Sequence, residues 1–227
     1  MKKISNIFKL IITCLLIQSL SSSCNDKLSE PSGNVASETL QWSSISDTKS
    51  ALLGTYSLLR AALLENNAHW MYGELRHGDF TSYRRSDLQA ISTNSLKASY
   101  PIMKDLTNWR RFYAVINAAS IFIERAGEVR EKDSRYTQAR AIRAFAYFYM
   151  VRIWGDIPLI TKSYDDGSFE HRPRTDSQSV LNFAENELLT AVIDLPYLYG
   201  NSLIYYYDNT NSYWRNVLFN KLTGYAI

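Results

Sequence analysis

The chain has 227 residues, 46% of them hydrophobic and 13% aromatic, with 25 Lys and Arg against 22 Asp and Glu. That length can bury one sizeable core, while two cysteines cannot build a disulfide framework. Without Lys2, Lys3 and Lys9 the remainder carries 22 charges of each sign, which excludes the basic footprint of a nucleic-acid binder.

Residues 1–23, MKKISNIFKLIITCLLIQSLSSS, begin basic, pass through an apolar run at 10–20 and end on three serines. The run is shorter than the roughly 20 apolar residues of a membrane-spanning helix. Basic, then apolar, then small is the order of a secretory signal. Cys24 follows directly, and the junction resembles a bacterial lipoprotein signal, cleaved before Cys24 and acylated there. An ordinary signal peptide with an incidental cysteine is the alternative. Cleavage would remove Cys14 and leave Cys24 with no disulfide partner in an oxidising compartment, which a lipid on that residue explains. Several acyl chains hold a protein firmly to a membrane. Residues 24–44 are polar, contain Pro31 and Gly33, and read as a tether to the folded domain at 45–227.

Four segments carry apolar residues at helical spacing. The first follows Asp47 as N-cap, with Leu52, Tyr56, Leu59 and Leu63 on one face, and frays near Asn66 and Asn67. A long loop is expected from about 68 to 104. The second helix follows Asp105, with Trp109, Phe112, Tyr113, Ile116 and Ile123 on one face and Gly127 as its stop. The third is capped by Asp133 or Ser134 and runs to Trp154. The fourth follows Asp176, aligns Val180, Ala184, Leu188 and Ala191, and ends before Pro196. A fifth is expected from Asn211 or Ser212 to the end. The β-prone runs IPLIT (157–161) and LIYYY (203–207) show no clear pairing partner.

The third helix is unusual. Ala139, Ala141, Ala144 and Ala146 let a neighbouring helix approach closely, and Phe145, Phe148, Tyr149 and Trp154 add large apolar area. Apolar residues nearly all round mark a helix buried on most sides. The expected fold is therefore all-α: tetratricopeptide-like helix pairs with long loops, an α-α superhelix with no strict repeat.

The stretch ARAIRAFAYFYMVRIWGDIPLIT (139–161) resembles the signature helix of the SusD/RagB family of outer-membrane lipoproteins. Arg140, Arg143, Ala144, Tyr147, Phe148, Arg152, Gly155, Asp156, Pro158 and Leu159 match its pattern. SALLGTYSLLR (50–60), YGELRHGDF (72–80), WRRFYAVINAASIFIERA (109–126) and RPRTDSQSVLNFAENELLTAVIDLP (172–196) are similar to its other landmarks, in order. The resemblance implies a lipid-anchored protein of the outer membrane, facing outside the cell. It implies capture of oligosaccharides, or of peptides, and their delivery to a SusC-like TonB-dependent transporter. Family members are considerably longer, so the chain reads as an N-terminal part that is incomplete relative to the family, either a fragment or the product of a shortened gene. Its stack of helices is then expected to end without a polar cap. A helical adaptor with no ligand of its own, or a non-functional fragment, is the alternative.

A sugar ring offers apolar C–H faces to an aromatic ring and hydroxyls to amides, carboxylates and guanidinium groups. Residues 69–100 mix those types, and the family's corresponding loop contributes to its binding face. Trp70, Tyr72, Asp79, Tyr83, Arg84, Arg85 and Tyr100 are the candidate ligand residues. The competing reading makes Trp70 and Tyr72 anchors of the loop. Tyr205, Tyr206 and Tyr207 are either a stacking patch or a half-buried segment. Arg140, Arg143 and Arg152 are read as partners for acids or carbonyls of adjacent helices. Asp156 is read as a turn organiser bonding backbone amides, and Pro158 as the helix terminator. No catalytic residues, metal site or cofactor are expected. His69, His77 and His171 have no metal-ligand spacing, no nucleophile or phosphate-binding motif is present, and Asp165-Asp166-Gly167 reads as a solvated turn.

Overall fold

The computed structural model describes residue 42 and residues 45–65, 68–130, 134–164, 171–196 and 218–227. The leader, Cys24, most of the tether, Asp165–Gly167 and Tyr205–Tyr207 lie outside the described residues. Those described are helical apart from connections and one isolated bridge, and belong to one unit, Trp42–Ile227.

Helix α1 spans Ile45–Leu63. Asp47 lies in its first turn rather than at its N-cap, where a carboxylate still complements the helix dipole. Leu52, Leu59 and Ala62 are buried, and Tyr56 and Leu63 pack beside them.

The expected loop at 68–104 is instead three short helices: α2 (Ala68–His77), α3 (Ser86–Ser92) and α4 (Pro101–Leu106). Helices this short are marginal alone. They hold because Leu75, Leu88, Ile91, Ile102 and Leu106 share a small core of their own. Gly78, at φ 96°, ends α2, and Pro101 starts α4.

Helix α5 spans Arg110–Arg130. Asp105 does not cap it but lies inside α4. Asn108 Oδ1 instead accepts from the Arg110 amide at 3.2 Å. Gly127 is no stop, since the helix continues three residues further. Helix α6 (Ser134–Trp154) starts where the sequence places it; Asp133 is outside the described residues. Helix α7 (Ser177–Asp194) is capped by Asp176, whose side chain accepts from the Ser179 amide at 2.9 Å. Residues 218–220 are not helical, so the final helix, α8 (Lys221–Ala226), begins after Asn220 and not near Asn211. Gly224 lets α8 lie against α7, because a Cβ there would collide with the Val192 side chain.

Helix α6 is the centre, packing on α1, α5 and α7. Ala139, Ala141, Ile142, Ala144, Ala146, Tyr147 and Met150 are fully buried, and Phe145 and Tyr149 are half-buried against the same core. Partner numbers fall along α5 as they rise along α6: Ser120 meets Arg143, and Phe112 stacks on Tyr149 at 5.3 Å. The same holds for α7, where Arg143 meets Glu187 and Tyr147 meets Phe183. The three helices are therefore consecutive antiparallel neighbours, as paired-helix stacking requires.

A buried ion cluster joins these layers. Glu187 accepts from Arg140 Nη1 at 2.5 Å, from Arg143 Nε at 3.0 Å and from Arg143 Nη2. Arg143 Nη1 also donates to Ser120 Oγ at 3.1 Å and to the Thr161 carbonyl at 3.3 Å. Removing one member of such a cluster leaves charge buried and unpaired, at a cost of about 3–5 kcal/mol. Glu187→Ala should lose stability on that scale in urea melts. A loss below about 1 kcal/mol, the surface-pair scale, would show that water reaches the site.

His69 of α2 is also buried. Its ring meets those of Phe112, Tyr149 and Trp154 edge-on at 5.5, 6.2 and 5.4 Å, and neither nitrogen has a hydrogen-bond partner. Burial lowers its pKa from the ordinary 6.5, against a smaller opposing effect of Asp105. As pH falls through 6.5, the unfolded chain takes a proton that the folded chain refuses. Stability from this group is therefore complete above 6.5 and declines below it until the folded pKa is reached. Between pH 7.5 and 5, urea midpoints of the parent should fall more than those of His69→Phe. Equal falls would assign the pH dependence to other groups.

Candidate functional site

The structure separates the candidate ligand residues into two groups. Tyr72 and Tyr100 are half-buried against the small core of α2–α4, and the Arg76 guanidinium lies 5.4 Å from the Tyr72 ring centroid. Both are anchors. The Trp70 side chain lies outside the described residues. Asp79, Tyr83, Arg84 and Arg85 lie on the connection between α2 and α3. There Asp79 sits 3.1 Å from His77 Nδ1. Arg85 forks onto buried Asp87, with contacts of 3.1 and 2.5 Å. Those hydrogen bonds hold the Asp87 carboxyl below the usual range. Arg85 is thus committed to the fold, while Tyr83 is 90% exposed and Phe80 50% exposed, with Arg84 also at the surface. The connection thus carries a largely exposed tyrosine and, next to it in sequence, an exposed arginine, residue types able to cover a sugar face and bond its hydroxyls.

The signature residues tie elements together. The Tyr147 hydroxyl donates to the Ile160 carbonyl at 2.6 Å and accepts from the Ile160 amide at 2.8 Å, and burial pushes its pKa well up. Arg140 and Arg143 hold Glu187 as described. Arg152 is exposed and lies 5.3 Å over the Phe148 ring rather than against an acid or carbonyl. Helix α6 is ended by Gly155, at φ 67°, and not by Pro158, three residues beyond. Asp156 does not organise its own turn. Its Oδ1 accepts from the Ser177 amide at 2.9 Å and the Ser177 hydroxyl at 2.6 Å, at the start of α7, and these bonds lower its pKa. IPLIT does find a partner: Ile157 and Thr175 exchange backbone hydrogen bonds of 3.2 and 2.9 Å. The Pro158 carbonyl accepts from the Tyr113 hydroxyl at 2.7 Å.

Sequence reasoning missed two surface features. A cleft of about 340 Å³ lies between the start of α5 and the segment around Pro158 and Arg172. The i, i+4 aromatic pair Trp109 and Tyr113, next to Arg110, was the available signal, but it read as one buried face. A second groove, about 310 Å³, runs between α6, α7 and α8, and Leu189, Ile193, Leu222 and Tyr225 are exposed on those last two helices. Among the described residues, no three His, Cys, Asp or Glu side chains gather as metal ligands would, and no helix is long and apolar enough to cross a membrane.

Residues 41–211 match a SusD-like family model described as starch-binding and associating with the outer membrane. A SusD-like protein of Formosa agariphila, P38, is 32% identical over 197 residues, covering 83% of this chain and 37% of its own. A crystal structure of a SusD superfamily protein from Bacteroides thetaiotaomicron is 54% identical at a TM-score of 0.74, covering 82% of this chain and 42% of its own. A laminarin-binding SusD-like protein shares the fold at a TM-score of 0.54 and 20% identity, over 72% of this chain and 37% of its own. The chain thus spans about two fifths of the length of these relatives. A family match over most of its length, on an all-helical scaffold whose signature residues hold the layers together, shows that the chain belongs to the SusD-like family.

Proposed function

We propose that this chain forms the helical scaffold of an outer-membrane lipoprotein that captures glycan oligomers outside the cell and passes them to a SusC-like TonB-dependent transporter. The observation that carries this reading is the family match over residues 41–211. In this account residues 1–23 direct export, Cys24 takes the lipid, and residues 24–44 tether the domain. The scaffold presents the α2–α3 connection, where Tyr83 and Arg84 meet the sugar. The laminarin-binding neighbour supports a glycan as ligand class over a peptide. The protein binds and releases its cargo without chemical change.

One observation favours the adaptor reading, with no ligand of its own: Tyr72, Tyr100 and Arg85 are committed to the fold. Native gels cast with a single polysaccharide, laminarin or starch in turn, separate the two. The parent should be retarded by at least one. Tyr83→Ala should weaken that binding by about tenfold, the scale of a lost aromatic anchor, without moving the melting temperature. Tyr72→Ala should destabilise by about 1–3 kcal/mol. A chain that ignores both polysaccharides yet still pulls down the transporter would be an adaptor.

A further inference from the structure

Helices α2, α3 and α4 pack mainly on one another, and the apolar residues of their small core are not shared with the larger one. They meet the long helices at a joint. Trp154, at the end of α6, donates its indole Nε1–H to the Leu106 carbonyl of α4 at 2.8 Å. Beside it, His69 of α2 enters the box made by the Phe112, Tyr149 and Trp154 rings. Trp154 belongs to both contacts, so the indole bond and the histidine form and break together.

The histidine is an odd choice for this place. It is 3% exposed, and among the described residues neither ring nitrogen has a hydrogen-bond partner. A neutral imidazole there leaves one N–H with no acceptor and one lone pair with no donor. Buried polar groups are nearly always paired, and an unpaired one costs stability. A phenylalanine would fill the same box without that cost. What a phenylalanine cannot do is take a proton.

The groups around the box do not welcome that proton. From α5 comes the uncharged Phe112 ring, and Arg111 beside it is paired with Glu65. From α6 come Trp154 and Tyr149, whose hydroxyl is pushed up by burial and so stays neutral in acid. Arg152 lies over Phe148. On α2 itself Glu74, Arg76 and His77 lie further along the helix. Asp105 of α4 favours the proton, but less than burial opposes it. In an open form His69 would meet water and take its proton at the ordinary 6.5, which the closed form refuses until a lower pH. Opening therefore gains about tenfold per pH unit below 6.5, until the closed form is protonated too.

We propose that His69 is an acid-sensitive plug: neutral, it seats α2–α4 on the scaffold, and protonated, it releases them from Phe112, Tyr149 and Trp154. The α2–α3 connection, which carries Tyr83, then loses its fixed place, so acid governs how that surface is presented. The inference goes beyond the glycan reading and needs no ligand for its test.

Hydrogen exchange of the Trp154 indole proton in the full chain, followed by NMR between pH 7.5 and 5, reads the joint directly. The signal is assigned by its loss in Trp154→Phe. Its protection, relative to a free tryptophan amide at the same pH, should fall about tenfold per pH unit below 6.5 in the parent. In His69→Phe, which keeps a ring and loses the titrating group, it should stay nearly level. In low urea this protection should change less steeply than that of the Ala141–Met150 amides, because opening the joint exposes less surface than global unfolding. A level profile in the parent, an equal fall in His69→Phe, or a urea slope equal to that of the α6 amides would overturn the plug. Should His69→Phe fail to fold, the parent's pH profile and urea slope decide.

Discussion

Helix α6 has neighbours on nearly every side, and that constraint organises the molecule. A helix with one apolar stripe can settle on any core, but one that is apolar all round must be enclosed. Its alanines admit close neighbours, and its aromatic side chains fill what the alanines leave. Burying that much of one rod fixes α1, α5 and α7 around it. The connections that remain at the surface are then free to carry chemistry.

Glu187 gives this enclosure its register. Hydrophobic packing alone is tolerant of sliding, because Leu, Ala and Phe contacts are similar at many offsets. A buried carboxylate between two guanidinium groups is satisfied at one offset. Arg143 then reaches Ser120 on one side and the Thr161 carbonyl on the other, so one side chain aligns α5, α6, α7 and the segment after α6. Tyr147 and Asp156 extend the alignment, one by holding Ile160 and the other by capping α7. The most recognisable run in the sequence is thus devoted to holding the scaffold. The Pro158 carbonyl, accepting from the Tyr113 hydroxyl, ties the segment after α6 to α5 as well.

The long helices were legible in the sequence because each repeats its apolar residues over several turns. Asp176 marked a real start, since it stands directly before a periodic run. The errors fall where a local signal competes with packing. Gly127 can end a helix, but α5 is already supported and runs on past it. Helices α3 and α4 span at most two turns, too few for a period to show, and exist through contacts between residues far apart in sequence. The candidate site was only partly readable. Composition marked 69–100 as rich in sugar-binding types, yet it could not tell Tyr83, at the surface, from Tyr72 and Tyr100, which anchor a core. The cleft beside Trp109 had only the Trp109 and Tyr113 aromatic pair as a signal, because its other wall comes from residues near 160 and 172, which only folding brings there.

Amide hydrogen exchange across the folded chain tests the enclosure of α6 most directly. If α6 is the enclosed strut, its central amides, from Ala141 to Met150, will exchange only through global unfolding. Their protection free energy will then equal the unfolding free energy from denaturant melts, while α3 and α4 exchange through cheaper local openings. Central α6 amides exchanging as fast as those of α3 and α4 would contradict the account.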